Sequence, residues 1–192
     1  AGRAYLIYGG DEFSTVGTER SVTGHASPSD QIIRLGDFIS TDYFGTSCAA
    51  AGDLNTDGFN DFVITAPGSS NVYVYEGRND FDSRPSSSYP DLATITSADF
   101  VRPGTVAAGR DIDGDGHPDI IVGDSNKVFA FSGSSTTLIE STPFLILRQR
   151  LSVDTSYPVA VLPNWKDARI GESALPDIAI GKVIGPTVNV LY

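Results

Sequence analysis

One cysteine, two histidines and 13 lysine and arginine residues in 192 leave little material for several kinds of chemistry. A single thiol, Cys48, excludes an internal disulfide, so the fold must be secured by other means. It lies beside Ala49 and Ala50 in an apolar stretch, which predicts a buried and inert thiol. Basic residues are outnumbered by 24 Asp and Glu, for a formal net charge of −11. Nucleic acid is therefore not expected as a partner, since phosphates require a basic face. No run of 18 apolar residues is present, so no membrane-spanning helix is expected. Also missing are a G-x-S-x-G elbow, an H-E-x-x-H pair, a glycine-rich phosphate loop and any N-x-[ST] sequon. His25, in the polar segment Thr23–Pro28, reads as a solvated loop residue. No catalytic residue is assigned, and the chain is not expected to be an enzyme.

The acidity is concentrated. Asp53-Leu-Asn-Thr-Asp-Gly-Phe-Asn-Asp61 and Asp111-Ile-Asp-Gly-Asp-Gly-His-Pro-Asp119 share the pattern D-x-[DN]-x-D-G-x-x-D. Oxygen-bearing side chains stand at positions one, three, five and nine: Asp53, Asn55, Asp57 and Asp61 in one copy, Asp111, Asp113, Asp115 and Asp119 in the other. Calcium takes six to eight oxygens at about 2.3–2.6 Å, and short carboxylates on a tight loop supply them. The backbone carbonyls of Phe59 and His117 are the expected ligands from position seven. Gly58 and Gly116 fall where the chain must turn sharply. Asp, Asn and Gly also dominate ordinary turns. Yet clustered carboxylates with no basic residue among them repel one another unless a cation intervenes. An EF-hand is excluded because its twelfth position requires Glu, and here that position holds Ile64 or Val122. Two calcium sites are the expectation, the second binding more tightly because it carries one more carboxylate.

The residues after each loop repeat as well. Asp61-Phe-Val-Ile-Thr-Ala-Pro-Gly precedes Val72-Tyr-Val-Tyr-Glu-Gly77, and Asp119-Ile-Ile-Val-Gly precedes Val128-Phe-Ala-Phe-Ser-Gly133. A third unit pairs Asp177-Ile-Ala-Ile-Gly181 with Val188-Asn-Val-Leu-Tyr192. Asp61, Asp119 and Asp177 are spaced 58 residues apart. A fixed period on this scale signals a solenoid, propeller or array. Short runs of Val, Ile, Tyr and Phe between turn residues predict strands throughout. Asp91–Thr96 and Phe144–Leu147 read as outer strands, giving about four strands per unit, which is one propeller blade.

These residues resemble the FG-GAP repeats of integrin-α-like β-propellers. Phe44-Gly45 provides the FG element, and Ala66-Pro67, with Thr65 ahead of them, most of the GAP element. In the second unit Pro103-Gly104 replaces Phe-Gly and Val122-Gly123-Asp124 replaces Gly-Ala-Pro. The third has Tyr157-Pro158 at the FG place, and Arg169, Gly171 and Ser173 at ligand positions one, three and five. A cation at position one opposes metal binding, so no calcium is expected there, Asp167 and Glu172 being the only nearby acids offered for a weak site.

The resemblance implies an all-β, integrin-α-like propeller, here partial, with blades of four antiparallel strands and calcium between the first two. Residues 1–10 hold a late strand of a preceding blade and 11–42 a connection in which Gln31–Leu35 is the first strong strand. The calcium-loop blades cover 43–100 and 101–156, and a metal-free blade covers 157–192. Three units and a strand fall short of the four to eight blades of closed propellers. The chain is thus expected to form part of a larger propeller, completed by another chain or segment. The function implied is an extracellular or cell-surface, secreted, calcium-stabilised module for adhesion or protein–protein interaction. Alternatives are a glycan-binding or enzyme-associated propeller and an architectural subunit of a surface assembly. Rigid loops of this kind suit the millimolar calcium outside cells.

Overall fold

Side chains branched at Cβ and aromatic rings fit a pleated, half-buried surface, and the short runs that carry them here form antiparallel strands. The computed structural model describes residues 2–7, 32–35, 41–78, 93–125, 127–134, 141–148, 158–162, 175–184 and 187–191. Strands β1 (Ala4–Ile7) and β2 (Ile32–Leu35) form a two-stranded sheet. Strands β3 (Cys48–Gly52), β4 (Asp61–Ala66), β5 (Asn71–Tyr75) and β6 (Ala93–Thr96) form a four-stranded sheet in chain order. A second such sheet follows from β7 (Thr105–Arg110), β8 (Asp119–Gly123), β9 (Lys127–Phe131) and β10 (Leu145–Arg148). Strands β11 (Val159–Leu162), β12 (Asp177–Ile184) and β13 (Thr187–Leu191) make a three-stranded sheet. Both expected outer strands are present as β6 and β10. Gln31–Leu35 contributes β2, which pairs antiparallel with β1, Ala4 opposite Leu35. Among the described residues no helix is long and apolar enough to cross a membrane.

Successive side chains on a strand point to opposite faces, so each sheet offers two apolar faces to its neighbours. Val63, Val72, Val74 and Ile95 of the first four-stranded sheet meet Ile120, Val122, Phe129 and Phe131 of the second. Their alternates Ile64, Ala66, Tyr73 and Tyr75 pack with Phe44, Leu35, Ala4 and Leu6. Ile121, Val128 and Ala130, on the far face of the second sheet, pack against Val159, Val161, Ile178 and Ile180. The sheets are thus stacked blades of a partial β-propeller, and the core lies between blades. At its centre the Phe129 ring meets Phe100 edge-on, with centroids 5.0 Å apart at 83°.

The same alternation corrects one expectation. Cys48 is exposed, not buried. Ala49 and Ala51 are the β3 residues that face the inter-blade core, so Cys48 and Ala50 point the other way.

The turn into the second four-stranded sheet depends on Asp124. Its fully buried carboxylate accepts hydrogen bonds from the amides of Val101 (2.8 Å), Arg102 (2.5 Å) and Ser125 (2.7 Å). One side chain thus ties the end of β8 to the segment leading into β7. Asp124→Asn turns an NH₂ group toward these donors and strands at least one amide. A loss of about 2 kcal/mol is expected, read as a lower urea midpoint at unchanged slope.

Candidate metal centre

The two acidic segments occupy matching places, between β3 and β4 and between β7 and β8. A register shift next to Gly52, and another next to Gly109, turns each chain into its loop. The backbone then takes the same path twice. Position six, Gly58 or Gly116, has φ 94° in both, a conformation that side chains resist. Position four is left-handed too, with φ 62° at Thr56 and 85° at Gly114.

Short carboxylates hold this path by accepting from the loop's own amides. Asp53 accepts from Asp57 N at 3.0 Å and Gly58 N at 2.9 Å. Asp111 accepts from Gly114 N at 2.6 Å and Gly116 N at 2.9 Å. Position three accepts from the amide of position five, at 3.1 Å for Asn55 and 3.0 Å for Asp113. Position five accepts from the amide of position seven, at 2.8 Å in both loops. Oxygens at positions one, three and five are thereby drawn together. In the second loop the ligand atoms of Asp111, Asp113 and Asp115 lie within 4.8 Å of one another. Among the described residues the carbonyls of Phe59 and His117 accept no hydrogen bond.

Position nine behaves differently. Asp61 and Asp119 are 2 % and 0 % exposed, at the first residue of β4 and of β8. Asp61 Oδ2 accepts from Leu54 N at 2.8 Å, and its Oδ1 accepts from Gly77 N at 2.8 Å. Asp119 Oδ2 accepts from Ile112 N at 2.6 Å and Asp113 N at 3.3 Å, and the Gly133 amide faces the carboxylate as Gly77 does in the first loop, although Oδ1 falls short of a full hydrogen bond. Burial raises both carboxyls, Asp119 to about 6 with a further push from Asp113, despite lowering by the Ile112, Asp113 and Gly133 amides. The position-five carboxylates shift the opposite way. Asp115 is lowered chiefly by the Ser132 hydroxyl, which donates to Oδ2 at 2.6 Å. At Asp57 partial burial is outweighed by hydrogen bonds from Phe59 and Asn55.

An all-oxygen donor set of short carboxylates held at close quarters fits a hard divalent cation and no softer metal. In the second loop the structure brings positions one, three and five together, and in both loops position nine is buried at the start of the following strand. Two neighbours escaped the sequence reading. Glu76, just after β5, and Ser132, just after β9, both reach the loops. Their only signal in the sequence was the Gly that follows each of them. Arg169, Gly171 and Ser173 of the third unit lie outside the described residues, as do Asp167, Glu172, Trp165 and His25. There β11 and β12 are joined by 14 residues, against eight in each of the other two units.

Comparison with known proteins points the same way. The FG-GAP repeat family matches residues 44–78 and 102–131. Integrin alpha-7 of Rattus norvegicus is 30 % identical over 139 residues, covering 66 % of this chain and 11 % of that protein. Integrin alpha-V of Gallus gallus is 31 % identical over 156 residues, 77 % of this chain and 14 % of that protein. Integrin alpha pat-2 of Caenorhabditis briggsae is 41 % identical over 86 residues, 42 % of this chain and 7 % of that protein. The chain spans roughly a tenth of the length of the curated relatives it matches.

The raised carboxyl of Asp119 sets a pH signature for the cation-free protein. A group whose folded pKa lies above its unfolded value favours folding below the unfolded value and loses that contribution as pH rises through the folded one. In chelator, wild type should therefore lose stability relative to Asp119→Asn between about pH 4 and pH 7, measured by denaturant unfolding at each pH. A gap that stays constant would mean that burial does not govern this carboxyl.

Proposed function

We propose, from a chain that carries FG-GAP repeats in a partial β-propeller, that it is an extracellular calcium-stabilised module for adhesion or protein–protein interaction. The observation that carries this reading is the doubled loop. Two segments 58 residues apart take the same backbone path and turn short carboxylates toward a common centre, each within a matched repeat.

Two calcium ions are held, one by Asp53, Asn55, Asp57, Asp61 and the Phe59 carbonyl, the other by Asp111, Asp113, Asp115, Asp119 and the His117 carbonyl. Calcium supplies the positive charge that lets these oxygens stay ionised at close quarters. The chain's residues do the rest: backbone amides pre-set positions one, three and five, and position nine joins the loop to its strand. The ions are structural, and the module is a binding element, not an enzyme. Millimolar calcium outside cells suits such loops, which favours the extracellular setting.

The unit is one portion of a larger propeller. Residues 1–10, with β1, hold a late strand of a preceding blade and 11–42, with β2, the connection; residues 43–100 and 101–156 form the calcium blades, and 157–192 a blade without metal. Its partners are a protein ligand and further propeller segments. Stacked rigid sheets leave the connecting loops as the binding surface.

Isothermal titration should find two calcium ions per chain, and a chelator should lower the melting temperature. Each site stabilises the fold by about 4 kcal/mol when free calcium stands a thousandfold above its Kd. Asp115→Ala should remove one binding event and most of that site's stabilisation, while Leu147→Ala on an exposed outer strand should change neither. A melting curve indifferent to chelation would refute the calcium reading. Glycan binding with no protein partner would redirect the adhesion reading toward a lectin.

A further inference from the structure

Among the side chains of the acidic pattern, the two loops differ in charge at a single position: Asn55 stands where the second has Asp113. The structure places another carboxylate beside that gap. Strand β5 ends at Tyr75 and β9 at Phe131, and the next residue in each case, Glu76 or Ser132, turns to the loop of its own blade. The two positions are equivalent in space. Gly77 and Gly133 follow them, and a Cβ at either glycine would run into the position-eight carbonyl of its loop, Asn60 or Pro118. Ser132 reaches position five, donating to Asp115 Oδ2 at 2.6 Å. Glu76 Oε1 accepts from Asn55 Nδ2 at 3.3 Å, and the same Nδ2 donates to Asp57 Oδ2 at 3.1 Å. Asn55 thus bridges two carboxylates, one from the loop and one from the strand end. Arg78 pairs with the other oxygen of Glu76.

We propose that Glu76 is a cation-binding residue of the first loop, supplying from the end of β5 the carboxylate that Asn55 lacks, with Arg78 holding it in reach. This rests on the calcium reading given above. With Glu76 counted, four carboxylates serve each site: Asp53, Asp57, Asp61 and Glu76 in one, Asp111, Asp113, Asp115 and Asp119 in the other. The first loop then equals the second in carboxylate count, contrary to the expectation from its pattern alone, while Arg78 offsets one of its charges. Both Glu76 and Arg78 are largely shielded, with side chains 25 % and 17 % exposed, so their charges act through less water than rim residues do. A small hydroxyl suffices at Ser132 because Asp113 already carries the charge.

Calcium titration of a protein whose second site is silenced by Asp113→Asn and Asp115→Asn reads the first site alone. In that background Glu76→Gln should weaken calcium binding at least about tenfold. Adding Asn55→Asp to Glu76→Gln moves the carboxylate into position three and should restore affinity to within about threefold of the parent. The melting temperature in chelator reads what Glu76→Gln loses with the Arg78 pairing. The rise on adding calcium should be smaller in Glu76→Gln and restored by Asn55→Asp, which reads the cation-binding role that a purely structural residue would lack. Unchanged affinity in Glu76→Gln, or failure of Asn55→Asp to restore it, overturns this inference alone. Absence of calcium binding by the unaltered protein would overturn the calcium reading and this inference with it.

Discussion

The buried carboxylate at position nine is the constraint on which each blade depends. Asp61 begins β4, and its two oxygens bind the amides of Leu54, in the preceding loop, and Gly77, beyond the following strand. One residue therefore closes the loop, starts the strand and fixes where β5 leaves the sheet. Asp119 plays the same part for its own loop through Ile112 and Asp113. An anion so deeply placed is costly unless its charge is answered. Amide donors answer part of it, and the upward shift that burial still imposes on both carboxyls marks what they leave over. The calcium proposed for each loop would answer more of it, which ties that proposal to the fold and not merely to the surface.

From that point the loop's effect passes to the next blade. Position two of each pattern is apolar: Leu54 in the first, Ile112 in the second. Leu54 is fully buried in the core between the two four-stranded sheets, and its carbonyl accepts from Ser134 N of the second sheet's segment at 3.1 Å. Ile112 packs into the cluster shared with the three-stranded sheet. Full burial of a leucine side chain contributes about 1.5–3 kcal/mol, comparable to what a bound ion adds to one site. The acidic rim and the apolar plug are consecutive residues. A loop loosened by charge repulsion would draw its plug from the neighbouring interface, so the calcium proposed here would govern how firmly one blade sits on the next.

Much of this was legible in the sequence because both signals are local. Short runs of Val, Ile, Tyr and Phe between turn residues predicted the strands that follow each loop, and the D-x-[DN]-x-D-G-x-x-D pattern marked the loops, which the family resemblance put between the first and second strand of each. What escaped depends on contacts distant in sequence. Glu76 lies 21 residues from Asn55, and no pattern within the loop points to it. Cys48 was misread because apolar neighbours were taken as a sign of burial, whereas a strand sends adjacent residues to opposite faces. Asp124 looked like a lost GAP element. Its three amide hydrogen bonds show that an acid can fasten the turn without the usual proline.

What recurs between units is therefore a set of hydrogen-bonding roles more than a set of letters. Gly45 N donates to Thr65 O at 3.0 Å in the first full blade, and Gly104 N donates to Gly123 O at 3.0 Å in the second. The glycine of the FG element keeps this bond even where proline has replaced the phenylalanine. On the other side of the same residue, Thr65 N donates to Ser47 O at 2.9 Å, the residue just before β3. In the third unit Gly181 N donates to Pro158 O at 2.8 Å, the residue just before β11. That bond persists although neither the FG nor the metal pattern does. The closure of the first strand onto the second thus does not depend on the acidic pattern of the loop it flanks. A blade can lose the residues of the ion and retain its sheet, provided the apolar faces on both sides still have neighbours to cover them.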